Sequence, residues 1–441
     1  LAIPTVQHLK EGEGLSEQLN RECFCVGLDE AALRSAIAEE LAAPGLFELV
    51  RERCPYVFAA QPVFVSSSSL AAMRQAVLAV NQIARLPAYQ DRALARAPAI
   101  ARFEPANPGV FYGYDFHVEG GRIGLIEINT NAGGAMLNLV LARAHRACCA
   151  EVAYLLPGPQ LAESFSASLA AMFAREWQCA GSPQGLRRVA LVDHDPLAQF
   201  LYPEFLLFRH WFERQGIETV IGDVAELNWT GRELLCAGQA VDLVYNRSTD
   251  FYFSQPESAA LAQAYLSGRV IVTPHPRGHA LFADKRNLGL LGNERLLQEW
   301  GVPPDQLQAL TRAIPETQEV TPERAEFFWE NRKNYFFKPH AGYGSRAAYR
   351  GDKLTTRVFG EIAAGGYVAQ ALVVPGTRRI NPSQDLKYDL RHFAYCGESQ
   401  WVAARLYMGQ TTNLRTPGGG FAPVYPIPEP SGSSAEPASA G

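Results

Sequence analysis

The sequence has no paired Cys-x-x-Cys arrangement, no apolar run long enough to span a bilayer and no excess of positive charge. Each absence removes a class of protein. The eight cysteines, at 23, 25, 54, 148, 149, 179, 236 and 396, do not form the dense framework of a small secreted domain. They read as reduced thiols, and the chain as cytoplasmic. The opening Leu1-Ala2-Ile3-Pro4 carries no basic stretch followed by an apolar one, and a first residue other than Met is consistent with a trimmed start. A formal net charge of -5 and a pI near 6.1 give no overall drive toward nucleic acid or an anionic membrane, so any phosphate binding must be local. There is no internal repeat and no GxxxxGK[ST] phosphate loop.

What is present is an ordinary globular composition, 47% hydrophobic and 19% charged over 441 residues, enough for two or three domains with substantial cores. Residues from about Asp29 to Leu86 read as mainly helical, and helices are expected over Met136 to Leu156 and Leu161 to Gln178. A composition shift at Gly181-Ser182-Pro183-Gln184-Gly185 marks a boundary. Beyond it, Val189–Asp193, Ile217–Ile221 and Val241–Tyr245 alternate with a helix at Pro203–Gln215, as in a small α/β layer. Asp193 and Arg247 fall near strand ends, where such sheets bind ligands, although Asp193 reads first as a surface residue. Strands are expected again at Tyr335–Lys338, Tyr367–Val374, Lys387–Tyr395 and Gln400–Met408. Arg378-Arg379 reads as an exposed turn, and Pro426 to Gly441 as a disordered tail.

The most informative stretch is Tyr114-Asp115-Phe116-His117-Val118-Glu119-Gly120-Gly121-Arg122-Ile123-Gly124-Leu125-Ile126-Glu127-Ile128-Asn129. Two apolar strands flank a Gly-Gly turn signal. A turn at Gly120-Gly121-Arg122 places Asp115 opposite Glu127, whereas a two-residue turn would slip the register by one and separate them. Opposed carboxylates call for a cation between them, and Asn129 adds a neutral oxygen on the same face. Hard oxygen ligands with room for phosphate suit Mg²⁺ and a nucleotide better than zinc. A solvated surface hairpin is the bland alternative. The second element is Tyr335-Phe336-Phe337-Lys338-Pro339-His340-Ala341-Gly342-Tyr343-Gly344-Ser345-Arg346, a strand that ends in a lysine and passes into a small-residue loop. Backbone N–H groups of such a loop can surround phosphate oxygens beside Lys338. Asp389-Leu390-Arg391 follows, where Arg391 could hold a carboxylate or phosphate, and then Arg405 and Asn413.

This succession resembles the ATP-grasp superfamily. The acidic Leu125-Ile126-Glu127-Ile128-Asn129 precedes Lys338 rather than following the arginine strands, which resembles the circularly permuted branch that includes glutathionylspermidine synthetase-like proteins. The resemblance implies an α/β and α+β multi-domain ATP-grasp fold of permuted order with a small Rossmann-like α/β layer. Its implied segments are 1–180 with the helices and acidic hairpin, 186–269 with the Rossmann-like layer, 270–425 with the lysine and glycine loop, and the tail 426–441. It implies Mg²⁺ on Asp115, Glu127 and Asn129, and ATP held by Lys285, Lys338, Gly342, Tyr343, Gly344, Ser345, Arg346 and Asn413. The backbone of Gln370, Ala371, Leu372 and Val373 would face the adenine, with Arg391 and Arg405 as catalytic cations.

Two departures stand out: Gly113 replaces an arginine common two residues before the first metal-binding aspartate, and Ala371 replaces an acidic hinge residue. The implied activity is ATP-dependent carboxylate–amine ligation through an acyl phosphate. The expected partners are a small-molecule or peptide carboxylate and an amine, without nucleic acid or membrane. A regulatory or scaffold protein that binds nucleotide without ligation, or a small-molecule phosphotransferase, are the alternatives.

Overall fold

The computed structural model describes residues 14–24, 27–40, 45–145, 159–181, 185–342 and 347–428. A seven-stranded sheet dominates it. In spatial order its strands are Val63–Ser66, Gly420–Ile427, Glu398–Tyr407, Gln384–Tyr395, Tyr112–Glu119 and Arg122–Asn129, with Gly376–Asn381 also pairing to Gln384–Tyr395. The acidic hairpin therefore lies beside strands that arrive more than two hundred residues later in the chain.

Alternation along these strands sorts their side chains between two faces. Tyr114, Phe116, Leu386, Tyr388, Leu390, Ala404 and Leu406 enter one core, shared with Met73, Ala76, Val77 and Val80 of the helix Ser67–Ile83. The intervening residues Asp115, Asp389, Arg391 and Arg405 therefore point together to the opposite face. Farther along that face, Phe393, Trp401, Ala403 and Phe421 join a second core with the helices Ala135–Ala144 and Pro159–Gln178.

A parallel four-stranded sheet runs Ile271–Thr273, Leu243–Asn246, Arg188–Asp193 and Glu218–Asp223. A third sheet, antiparallel, runs Thr317–Glu319, Tyr367–Ala371, Tyr335–Pro339 and Tyr349–Arg350, over its own core of Val320, Phe328, Phe337, Phe359 and Ile362.

Most expected elements form, with four corrections. The segment Asp29–Leu86 is interrupted by the buried strand Val63–Ser66, whose few residues are too short to show a period. Asp193 is buried at the end of its parallel strand rather than exposed. Arg378 is not in an exposed turn. It lies in a strand, fully buried, and donates to the carbonyls of Pro62, Asn20 and Cys23. Pro426 and Ile427 belong to the last strand of the main sheet, while 429–441 lie outside the described residues. The helix expected from Met136 is Ala135–Ala144, and 146–158 also lie outside. The five described cysteines, Cys23, Cys54, Cys179, Cys236 and Cys396, are thiols. Among the described residues no helix is long and apolar enough to cross a membrane.

Candidate nucleotide-binding site

The hairpin turn has two residues, Gly120 and Gly121, both at positive φ (55° and 72°) and joining the pair Glu119 and Arg122. Two glycines tolerate that backbone without a Cβ clash. A two-residue turn should have parted the acids. A β-bulge restores them: Phe116 pairs with Leu125 but Asp115 pairs with Glu127, leaving Ile126 as the extra residue. The bulge also frees the Ile126 carbonyl, which accepts from Lys338 Nζ at 2.9 Å. One irregularity thus realigns the carboxylates and anchors the lysine.

The lysine strand and the acidic hairpin consequently line one cleft, between the main sheet and the third sheet. Lys338 is buried, and Nζ also donates to Gln370 Oε1 at 2.8 Å. Burial lowers its pKa from 10.5 to about 8, against the pull of Glu127. Lys285 Nζ donates to the Gly342 carbonyl at 3.1 Å and stands 3.7 Å from Glu127 Oε2. Burial raises the Glu127 pKa, but Lys285 leads a larger opposing effect, and the net shift is downward.

Asp115 lies deeper. Arg391 grips it through Nε and Nη2, both at 2.7 Å, and Arg405 Nη2 approaches Oδ2 at 2.8 Å. Arg405 in turn holds Asp389 bidentately at 2.7 Å, and Thr412 donates to the same carboxylate. Asn129 Nδ2 bridges Asp115 and Glu127 at 3.0 and 3.3 Å. The cleft therefore sets four cations, Lys285, Lys338, Arg391 and Arg405, against three carboxylates, an environment suited to a polyanion.

A hard divalent cation fits this site in part. Glu127 is half-open to the cleft, and the Asn129 amide turned toward the acids leaves its Oδ1 facing away from them. Asp115 is committed, because its Oδ2 already receives Arg391, Arg405 and Asn129. Among the described residues no cluster of three His, Cys, Asp or Glu side chains could hold a metal.

The other expected residues divide. Ala371, Leu372 and Val373 line the cleft, and so does Gly342. Gln370 lines it too, but its side chain is a strut that also donates weakly to Leu125 O at 3.4 Å. Asn413 does not line the cleft. Its amide donates to the Met408 carbonyl and its Oδ1 accepts from Thr416, which holds a turn. Tyr343, Gly344, Ser345 and Arg346 lie outside the described residues. Sequence reasoning missed Asp389, His117, Phe336, Tyr407 and Thr412 as cleft residues. For Asp389 the signal existed, since it sits two residues before Arg391 and so on the same strand face.

No protein-family model matches the chain, and no curated protein matches it significantly. Solved structures do. A glutathione synthetase-like effector, GSS30 from Globodera pallida in its apo form, superposes with a TM-score of 0.54 at 12% identity, covering 92% of this chain and 100% of its own. A candidate gamma-glutamylcysteine synthetase from Methylobacillus flagellatus KT gives a TM-score of 0.43 at 11% identity, covering 81% and 87%. The ATP-grasp ligase PsnB, complexed with a minimal precursor, gives 0.28 at 15% identity, covering 54% and 88%. The first likeness shows a shared fold: the chain is a mixed α/β protein that shares the fold of that effector over 92% of its length. At these identities the likeness concerns fold alone.

Proposed function

We propose that the protein is an ATP-dependent ligase of the ATP-grasp type, in circularly permuted order, that joins a carboxylate to an amine. The convergence of Lys285, Lys338, Arg391 and Arg405 with Glu127 and Asn129 in one cleft carries this reading. The triphosphate would lie among these cations, with the base against Ala371 to Val373. Magnesium bound with the nucleotide would offset phosphate charge; Glu127 would hold it, and Asn129 would join once its amide turned Oδ1 toward that carboxylate. Asp115 joins them only by releasing an arginine.

A substrate carboxylate oxygen attacks the γ-phosphorus, the bond to the bridging oxygen breaks, and ADP leaves. The amine nitrogen then attacks the acyl carbon of the acyl phosphate, loses a proton, and expels inorganic phosphate. No protein nucleophile is required. Lys338, Arg391 and Arg405 align the phosphoryl group and stabilise its charge, and removing one such cation should cost about 3 kcal/mol of transition-state stabilisation.

The test is ADP and phosphate release by the purified chain across a panel of carboxylates and amines, with Glu127→Ala alongside. Wild-type turnover that needs both substrates and is abolished in a folded Glu127→Ala protein supports ligation. Unchanged ADP production by that variant removes the metal assignment. The double pairing of Asp115 favours a second reading, a regulatory or scaffold protein that binds nucleotide without ligation. ATP binding with no ADP from any substrate pair would select it.

A further inference from the structure

The strand Tyr367–Ala371 continues into Leu372 and Val373, and three backbone polar groups of this short connection are already committed. The Ala371 N–H donates to Glu316 O at 2.7 Å and the Leu372 N–H to Asn334 O at 2.9 Å. The Val373 carbonyl, the obvious acceptor for a base lying along the strand, is occupied by His117, whose Nδ1 stands 2.7 Å away. A carbonyl can only accept, so Nδ1 carries the proton and Nε2 of the neutral ring is an acceptor. The ring lines the cleft, and Nε2 is neither paired within the described residues nor sealed from solvent.

The Val373 N–H also meets no acceptor among the described residues. Its position is fixed by close packing: a Cβ on Gly124 would lie 2.7 Å from Val373 Cγ2, so the connection rests directly on the acidic hairpin. One residue of the connection thus presents a donor, with an acceptor supplied by the imidazole bound to its carbonyl.

Building on the nucleotide reading above, we propose that His117 takes over the acceptor role of the Val373 carbonyl, and that His117 Nε2 with the Val373 N–H selects a 6-aminopurine. Such a base offers a ring-nitrogen acceptor beside an amino donor, matching both groups. A 6-oxopurine offers the reverse pair, setting donor against donor and acceptor against acceptor, which leaves desolvated groups unpaired. His117 is then a specificity-determining residue on the strand that carries Asp115.

The experiment titrates the full chain with magnesium and ATP, GTP or purine riboside triphosphate, which lacks the 6-amino group, at pH 8 in a calorimeter. The wild-type protein should bind ATP about tenfold more tightly than either analogue, the loss expected for one hydrogen bond in a closed site. His117→Phe keeps a ring but no acceptor. It should bring ATP down to the affinity of the purine riboside triphosphate and leave the latter unchanged, while His117→Gln, which keeps an acceptor, should recover part of the preference. Equal binding of ATP and purine riboside triphosphate by the wild-type protein overturns the inference without recourse to any variant. A His117→Phe protein that retains the preference does so as well, and leaves the nucleotide reading standing. Failure of the wild-type chain to bind any triphosphate overturns that reading and this inference with it.

Discussion

Arg391 stands directly opposite Asp115 in an antiparallel ladder and holds both of its carboxylate oxygens at 2.7 Å, although 276 residues separate the two in sequence. The pair joins the acidic hairpin to the late strands and lines the cleft. Removing one partner of a buried, bidentate pair strands the other charge in a desolvated site.

Asp115→Asn should therefore lower stability by about 3–5 kcal/mol in urea unfolding. Glu127→Gln, whose carboxylate opens on the cleft 3.7 Å from Lys285 Nζ and accepts from Asn129 at 3.3 Å, should cost far less while losing ATP turnover. An Asp115→Asn protein as stable as wild type would show that the arginines do not depend on that carboxylate.

Lys338 gives a pH signature. Its folded pKa of about 8 lies below the ordinary 10.5 because the ammonium is buried. Between those values the unfolded chain binds more protons than the folded one, so this group makes stability rise with pH from about 8 to 10.5 and contributes no slope below. Phosphate oxygens beside the ammonium would raise its pKa again. Nucleotide binding at pH 8 should then take up roughly half a proton, and almost none at pH 6.5. Calorimetry in buffers of different ionisation enthalpy measures this. Equal enthalpies in all buffers at pH 8, or uptake persisting in Lys338→Met, would remove the lysine from the phosphate site.

How much of this was legible in the sequence depends on the length scale of the cause. Period-two apolar strands and the Gly-Gly turn announced the hairpin, and the apolar run Val189–Asp193 announced a buried parallel strand, because both signals are local. The bulge at Ile126 was not legible, since its carbonyl is satisfied by Lys338 from another sheet. Nor was the fate of Asp115, expected to need a metal ion. Its counter-charges are arginines delivered by strand pairing, and register between distant strands leaves no trace in spacing. Arg378 was misread for the same reason, because three of the carbonyls it donates to belong to the distant residues Asn20, Cys23 and Pro62.

Gly113 is a position where the structure leaves no room for a side chain. A Cβ there would lie 2.7 Å from the Ala132 Cβ and 3.0 Å from Arg391 Nε, so the guanidinium of Arg391 fills the space a longer residue 113 would need. Gly113→Ala should shift Arg391 off Asp115 and destabilise the chain by about 1–3 kcal/mol. It should also weaken nucleotide binding more than a surface change of equal stability cost. Wild-type unfolding and binding would show that the contact relaxes freely.

The last prediction concerns Arg378, which is fully buried and far more exacting than its neighbour Arg379. Its Nε donates to Pro62 O at 2.7 Å, Nη1 to Asn20 O and to Arg379 O at 2.8 Å, and Nη2 to Cys23 O at 2.6 Å. These contacts fasten the helix Leu15–Glu22 and the entry to Val63–Ser66 onto the edge of the main sheet. Arg378→Met keeps most of the volume but leaves those carbonyls without their donor, and should cost about 3 kcal/mol or more. Hydrogen exchange should accelerate first in the amides of Leu15–Glu22, ahead of those in the acidic hairpin. Arg379→Ala, which breaks only a surface pair with Asp385, should leave both the unfolding curve and the exchange pattern close to wild type. If the two variants behave alike, the buried arginine is not what holds the N-terminal helix to the sheet.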